Sequence, residues 1–175
     1  KGFEYARFGK YFLPEATIEQ GENEHYRGWV NCPEAWITQT DGEMIDYIEV
    51  PAKSPMFDPD WVAHGHLERV VQRAAAWVES RHVRGLRLEI LRLTDAAGQP
   101  RTPLLYFEID ATRPEPDGAR APTVLIYGHL DKQPEFNGWR SDLGPWTPKI
   151  EDGKLYGRGG ADDGYAVYAA VSAIE

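Results

Sequence analysis

His129 and Asp131, one residue apart, and the adjacent Asp162 and Asp163 are the side chains in this sequence whose types and spacing could do chemistry. An imidazole can bind a divalent cation through one ring nitrogen while a carboxylate orients it from the other. Side chains of an extended chain alternate with period two, so His129 and Asp131 lie on the same side. Asp162 can then supply a carboxylate oxygen, the usual companion of imidazole on zinc or a similar ion. Taken alone, His-x-Asp reads more simply as a hydrogen-bonded turn, and Asp-Asp at a helix start as a cap.

The elements that must position these residues are legible on either side of them. Thr123–Tyr127 is an apolar, β-rich run of the kind that forms a strand buried on both faces, and it delivers His129 and Asp131 at its end. The second pair follows Leu155–Gly160 and precedes an Ala-rich helical pattern from Ala166 to Ile174. Glu151–Lys154 is a hairpin turn that returns Leu155 and Tyr156 beside Ile150. Upstream, Gly42–Val50 reads as a short helix stopped by Pro51. Asp58 and Pro59 open a long helix whose Leu67, Val70, Val71, Ala74, Ala75 and Val78 form one stripe facing a sheet.

Gly85 is expected to end that helix. Leu86–Ile90 and Leu104–Ala111 are expected strands around an Asp95–Pro103 turn, and 114–122 is an exposed loop. The order predicts an α/β sandwich of three layers with a mixed sheet, its site at the carboxyl edge of the 123–127 strand. His64 and His66, two apart on one helix, are expected to face different sides and to share no metal.

Composition narrows the function classes. At 42% hydrophobic and 27% charged residues, the chain has the make-up of a globular domain with a core. A formal charge of −9 argues against nucleic acid or an anionic membrane as partner, since both need a basic face. No run approaches the roughly 18 apolar residues of a membrane span. Lys1–Lys10 lacks the apolar core of a signal peptide, so a cytoplasmic protein is expected, although a signal already removed would leave no trace. Cys32 is the only cysteine, so no disulfide can form within the chain, and with His25 it has no second pair to make a metal site. Residues 1–40 are aromatic and polar by turns without a sustained period, and are read as an extension preceding a domain over 41–175.

The stretch from Tyr127 to Asp131 is followed by Gln133 and Pro134, Trp139, Gly144–Pro148, Asp152–Gly159 and Ala161–Asp163. In that order it closely resembles the dinuclear-zinc metallopeptidases, which include carnosinase-like dipeptidases, glutamate carboxypeptidase and the aminoacylase and deacetylase amidohydrolases. The resemblance is firm across Thr123–Glu175 and extends back to Glu43, while the first forty residues match nothing recognisable. It implies that His129 ligates one zinc, that Asp162 bridges two, and that Asp131, counted with the catalytic residues, holds His129. Asp163 would follow the bridging ligand through a cis peptide bond, and Arg158 would have a supporting structural part. One departure stands out: the family often has Lys and Gly after the Asp pair, where this chain has Gly164 and Tyr165.

The activity implied is hydrolysis of an amide bond in dipeptides or at the end of short peptides, by a water activated between two zinc ions, with Mn2+ or Co2+ as possible substitutes. N-acyl amino acid deacylation is the same mechanism on another substrate, and a non-catalytic binding or assembly module is the reading from a different class. The family's general-base Glu, a further acidic ligand and a last His have no match here. The chain is therefore expected to be the N-terminal part of a longer, homodimeric enzyme, and inactive by itself.

Overall fold

The computed structural model of the protein describes residues 29–31, 34–112 and 122–175, with side chains from residue 42 onward. His25, Cys32 and nearly all of the expected 114–122 loop lie outside the described residues. The elements are β1 (Trp29–Asn31), α1 (Glu34–Glu49), α2 (Trp61–His64), α3 (His66–Ser80), β2 (Leu86–Leu91), β3 (Leu104–Ile109), β4 (Lys149–Glu151), β5 (Lys154–Tyr156) and α4 (Tyr165–Ile174).

The core lies where α1, α3 and α4 meet. Met44, Tyr47 and Ile48 of α1 follow the three-and-four spacing and are buried. The α3 stripe read from the sequence is buried as expected, together with Trp77. Tyr168 and Val171, one turn apart on α4, close the core, with the Tyr168 ring edge-on to Trp77 at 4.8 Å.

Three helix boundaries differ from expectation. The first helix begins at Glu34 rather than Gly42. The helix expected from Asp58 is broken at Gly65, which adopts a left-handed conformation at φ 67° and separates α2 from α3. That break turns His64 and His66 towards each other, with ring centroids 5.7 Å apart, so they do not face different sides. Helix α3 stops at Ser80, five residues before Gly85, whose φ of 81° instead shapes the entry to β2.

Among the described residues the strands pair only antiparallel. β2 and β3 form a two-stranded sheet in the register Leu88↔Phe107 and Ile90↔Leu105, with Leu86, Leu88 and Phe107 against the core. β1, β5 and β4 form a second sheet in which Val30 and Ile150 are both register partners of Leu155. Asp152 and Gly153, at φ 51° and 71°, make the tight turn of the β4–β5 hairpin as expected.

The strand predicted over 123–127 is not formed among the described residues, which therefore do not show the mixed sheet expected. Val124, Leu125 and Tyr127 are 71%, 91% and 82% exposed, and the run has no ladder partner. A strand is defined by its neighbours, and the one parallel pairing among the described residues is the isolated bridge between Lys53 and Lys132. What remains of the expectation is an α/β arrangement with two short sheets.

Candidate metal centre

The loop after residue 127 runs beside the segment joining α1 to α2. Lys132 N–H donates to the Ala52 carbonyl and Ser54 N–H to the Lys132 carbonyl, each at 2.9 Å. Extended backbone at this point puts Leu130 and Lys132 on one side and His129 and Asp131 on the other. Lys132 is buried, and its ammonium donates to the carbonyls of Tyr47, Ile48 and Val50 at 2.5, 3.2 and 2.7 Å. These include the last free carbonyls of α1, where a cation is favoured by the helix dipole. Burial pulls the amine down to about 7. Three carbonyl acceptors need three N–H donors, which only the protonated form has, and the Tyr47 ring 4.0 Å away also favours the cation.

Anchored this way, the loop presents His129 between two carboxylates. Nδ1 lies 3.0 Å from the Asp131 carbonyl and 3.2 Å from Asp131 Oδ1, while Nε2 lies 3.2 Å from Asp162 Oδ1. Asp131 first and Asp162 second hold the imidazole up to about 11, against burial. Both of these carboxyls are in turn held below their usual range, chiefly by His129. Asp163 Oδ2 accepts from the His129 backbone N–H at 3.4 Å, and burial pushes its carboxyl up.

Asp162 and Asp163 sit in an irregular turn over 160–164, between Gly159 at φ 86° and α4, and the peptide bond joining them is cis. This turn is seated by close approaches that leave no room for side chains. A Cβ at Gly159 would meet the Lys132 stem at 2.8 Å, and one at Gly128 would meet Ala166 Cβ at 2.6 Å. Gly164, the departure from the family pattern, is crowded by the Tyr47 ring.

Arg158 is buried below the site. Its Nε donates to the Pro134 carbonyl at 2.9 Å, its guanidinium lies 4.3 Å over the Phe136 ring, and one terminal nitrogen has no hydrogen-bond partner among the described residues. Burial lowers its pKa. It braces the Pro134 and Pro145 loops, since its own N–H donates to the Pro145 carbonyl at 2.8 Å.

Thus the four acid and imidazole residues singled out in the sequence lie together, and Arg158 lies under them. An imidazole nitrogen and a carboxylate oxygen converging, with a second carboxylate behind the imidazole, is the donor chemistry of half a zinc site. Among the described residues no group of three or more His, Cys, Asp or Glu side chains is arranged to hold a metal ion. Tyr47 and Lys132 are structural partners of the site that the sequence reading passed over. The signal for Lys132 was present in the period-two alternation, which turns it inward whenever His129 and Asp131 face the site.

Residues 125–175 match the family described as Peptidase family M20/M25/M40, in agreement with the resemblance read from the sequence. A Beta-Ala-His dipeptidase of Mus musculus is 38% identical over 94 residues, which is 53% of this chain and 18% of that protein. A succinyl-diaminopimelate desuccinylase of Acinetobacter baumannii (strain AYE) is 45% identical over 60 residues, 33% of this chain and 15% of that protein. The crystal structure of human carnosine dipeptidase 1 matches with a TM-score of 0.57 at 26% identity, covering 80% of this chain and 29% of that one. The aligned part of the chain therefore spans less than a fifth of each of these two curated relatives.

Proposed function

We propose, from a site that falls within the family match, that the complete protein is a metal-dependent hydrolase of amide bonds in dipeptides or short peptides. The observation that carries this reading is His129 held between Asp131 and Asp162, at 3.2 Å on either side. In it, His129 Nε2 and Asp162 Oδ1 would hold zinc, with Mn2+ or Co2+ as substitutes, and the 41–175 region is the N-terminal part of the catalytic domain. Bound zinc would lower the pKa of a water and polarise a carbonyl.

The chain's own residues do the positioning. Asp131 accepts from His129 Nδ1 through both its carbonyl and its carboxylate, which fixes the ring and leaves Nε2 for the metal. Asp162 keeps its carboxyl ionised and more than half exposed, so that an oxygen would be free to hold a second ion. A catalytic ion usually takes about three protein ligands, so the remaining donors and a general base have to come from outside these residues.

A second reading keeps the mechanism and changes the substrate to an N-acyl amino acid, and its support is the identity with a desuccinylase. The test is a panel of dipeptides, N-acetyl and N-succinyl amino acids offered to the zinc-loaded full-length protein. Preferential cleavage of dipeptides supports the first reading and preferential deacylation the second. Cleavage of neither contradicts both.

A further inference from the structure

The last turn of α1 touches both halves of the site. Tyr47 is 2% exposed, and its hydroxyl donates to the Leu130 carbonyl at 3.1 Å, between His129 and Asp131. Its ring lies across Gly164, the residue after Asp163, where a Cβ would overlap Cε1, Cζ and Cδ1 of the ring. Gly164 has φ −56° and ψ −24°, an ordinary helical conformation open to any residue, so glycine is required there for space and not for backbone freedom. Lys132 is bonded to the Tyr47 carbonyl, its ammonium 4.0 Å from the centre of the Tyr47 ring. Ile48 repeats the fit one residue on, against Gly157 and Gly160.

We propose that Tyr47 is a positioning residue for the metal centre: its hydroxyl fixes the Leu130 peptide and its ring fixes the Gly164 backbone, which together set the spacing of His129 and Asp162. The proposal rests on the metal-hydrolase reading above. Core filling alone would be served equally by phenylalanine. The hydroxyl adds a bond to the Leu130 carbonyl, in the peptide that links the His129 and Asp131 stretch. Both ends of the Nε2 to Oδ1 distance therefore refer to one rigid side chain.

The test uses the full-length protein with Tyr47→Phe, Gly164→Ala and the double variant Gly164→Ala with Tyr47→Leu. Three readouts are taken: zinc affinity by competition with a chromophoric chelator, the visible spectrum of the Co2+-substituted protein, and kcat and KM on a dipeptide. Tyr47→Phe should weaken zinc binding about five-fold, the worth of one neutral hydrogen bond, and lower kcat with KM unchanged. Gly164→Ala should shift the Co2+ bands, and Tyr47→Leu should restore them in part by vacating the space. Wild-type affinity, spectrum and kcat in Tyr47→Phe overturn the proposal while leaving the hydrolase reading intact. A wild-type protein that neither retains metal nor cleaves amides overturns both. Tyr47→Phe removes a single oxygen and keeps the core filled, so it decides the matter even if Gly164→Ala does not fold.

Discussion

Nε2 of His129 lies 3.2 Å from Oδ1 of Asp162, although a loop and the whole β4–β5 hairpin separate them in sequence. The hairpin brings the glycine-rich turn back under the 129–132 loop, and α1 locks the two together. The proposed metal site depends on supports that are themselves testable.

Asp131 orients the imidazole through two acceptors, its carboxylate and its main-chain carbonyl. Replacing it by Asn removes the charge and leaves the carbonyl. Loss of a carboxylate behind a metal-bound histidine costs roughly 10- to 100-fold in affinity or activity, and the surviving carbonyl places Asp131→Asn near the low end. Zinc competition and turnover of the full-length variant measure this; unchanged values would remove Asp131 from the site.

Lys132 satisfies three carbonyls at the end of α1 with one buried ammonium. Lys132→Met keeps the stem against Gly159 and strips away the donors, leaving buried carbonyls without partners at about 1 to 3 kcal/mol for each one not rescued by water. A loss of about 2 to 4 kcal/mol in denaturant unfolding is expected. A loss below about 1 kcal/mol would mean that the carbonyls find other donors.

Gly157 sits where a Cβ would overlap Cγ2 of the fully buried Ile48. Gly157→Ala forces either the turn or α1 to move, at about 1 to 3 kcal/mol, the usual cost of overpacking. Thermal unfolding should show a clear decrease, and Ile48→Val in the same protein should recover part of it. An unaltered melting temperature would show that α1 is not held against the turn.

Away from the site, His64 Nδ1 lies 2.8 and 2.9 Å from the two oxygens of Asp58, and His64 chiefly holds that carboxyl below its ordinary range. A carboxylate with a lower pKa folded than unfolded stabilises the fold above its unfolded value, about pH 4, and this is lost as pH falls through the folded value. Stability against pH should therefore fall less steeply below about pH 4 in His64→Gln than in the wild type. Parallel acid limbs would show that the pair contributes nothing.

The sequence revealed local features better than long-range ones. The α3 stripe, the β2 and β3 segments and the hairpin at Asp152 and Gly153 follow from periodicity and turn chemistry within a few residues, and all are present. The break at Gly65 was hidden because a single glycine inside a helical pattern is compatible with either continuation or interruption. Thr123–Tyr127 has the composition of a buried strand, but pairing needs a neighbour, and no described residue supplies one along its length. At the site, the residue types of His129, Asp131, Asp162 and Asp163 were readable from their motif. Tyr47 was not, because its part depends on a contact with Gly164 that no spacing encodes.

The most direct measurement is zinc stoichiometry and affinity in the full-length protein, wild type beside His129→Ala and Asp162→Asn, by elemental analysis and competitive titration. The account predicts bound zinc in the wild type, with at least a 100-fold loss of affinity in each variant, on the order of 3 kcal/mol for one lost metal ligand. A wild type that binds no zinc, or variants that bind it as tightly as the wild type, would contradict it.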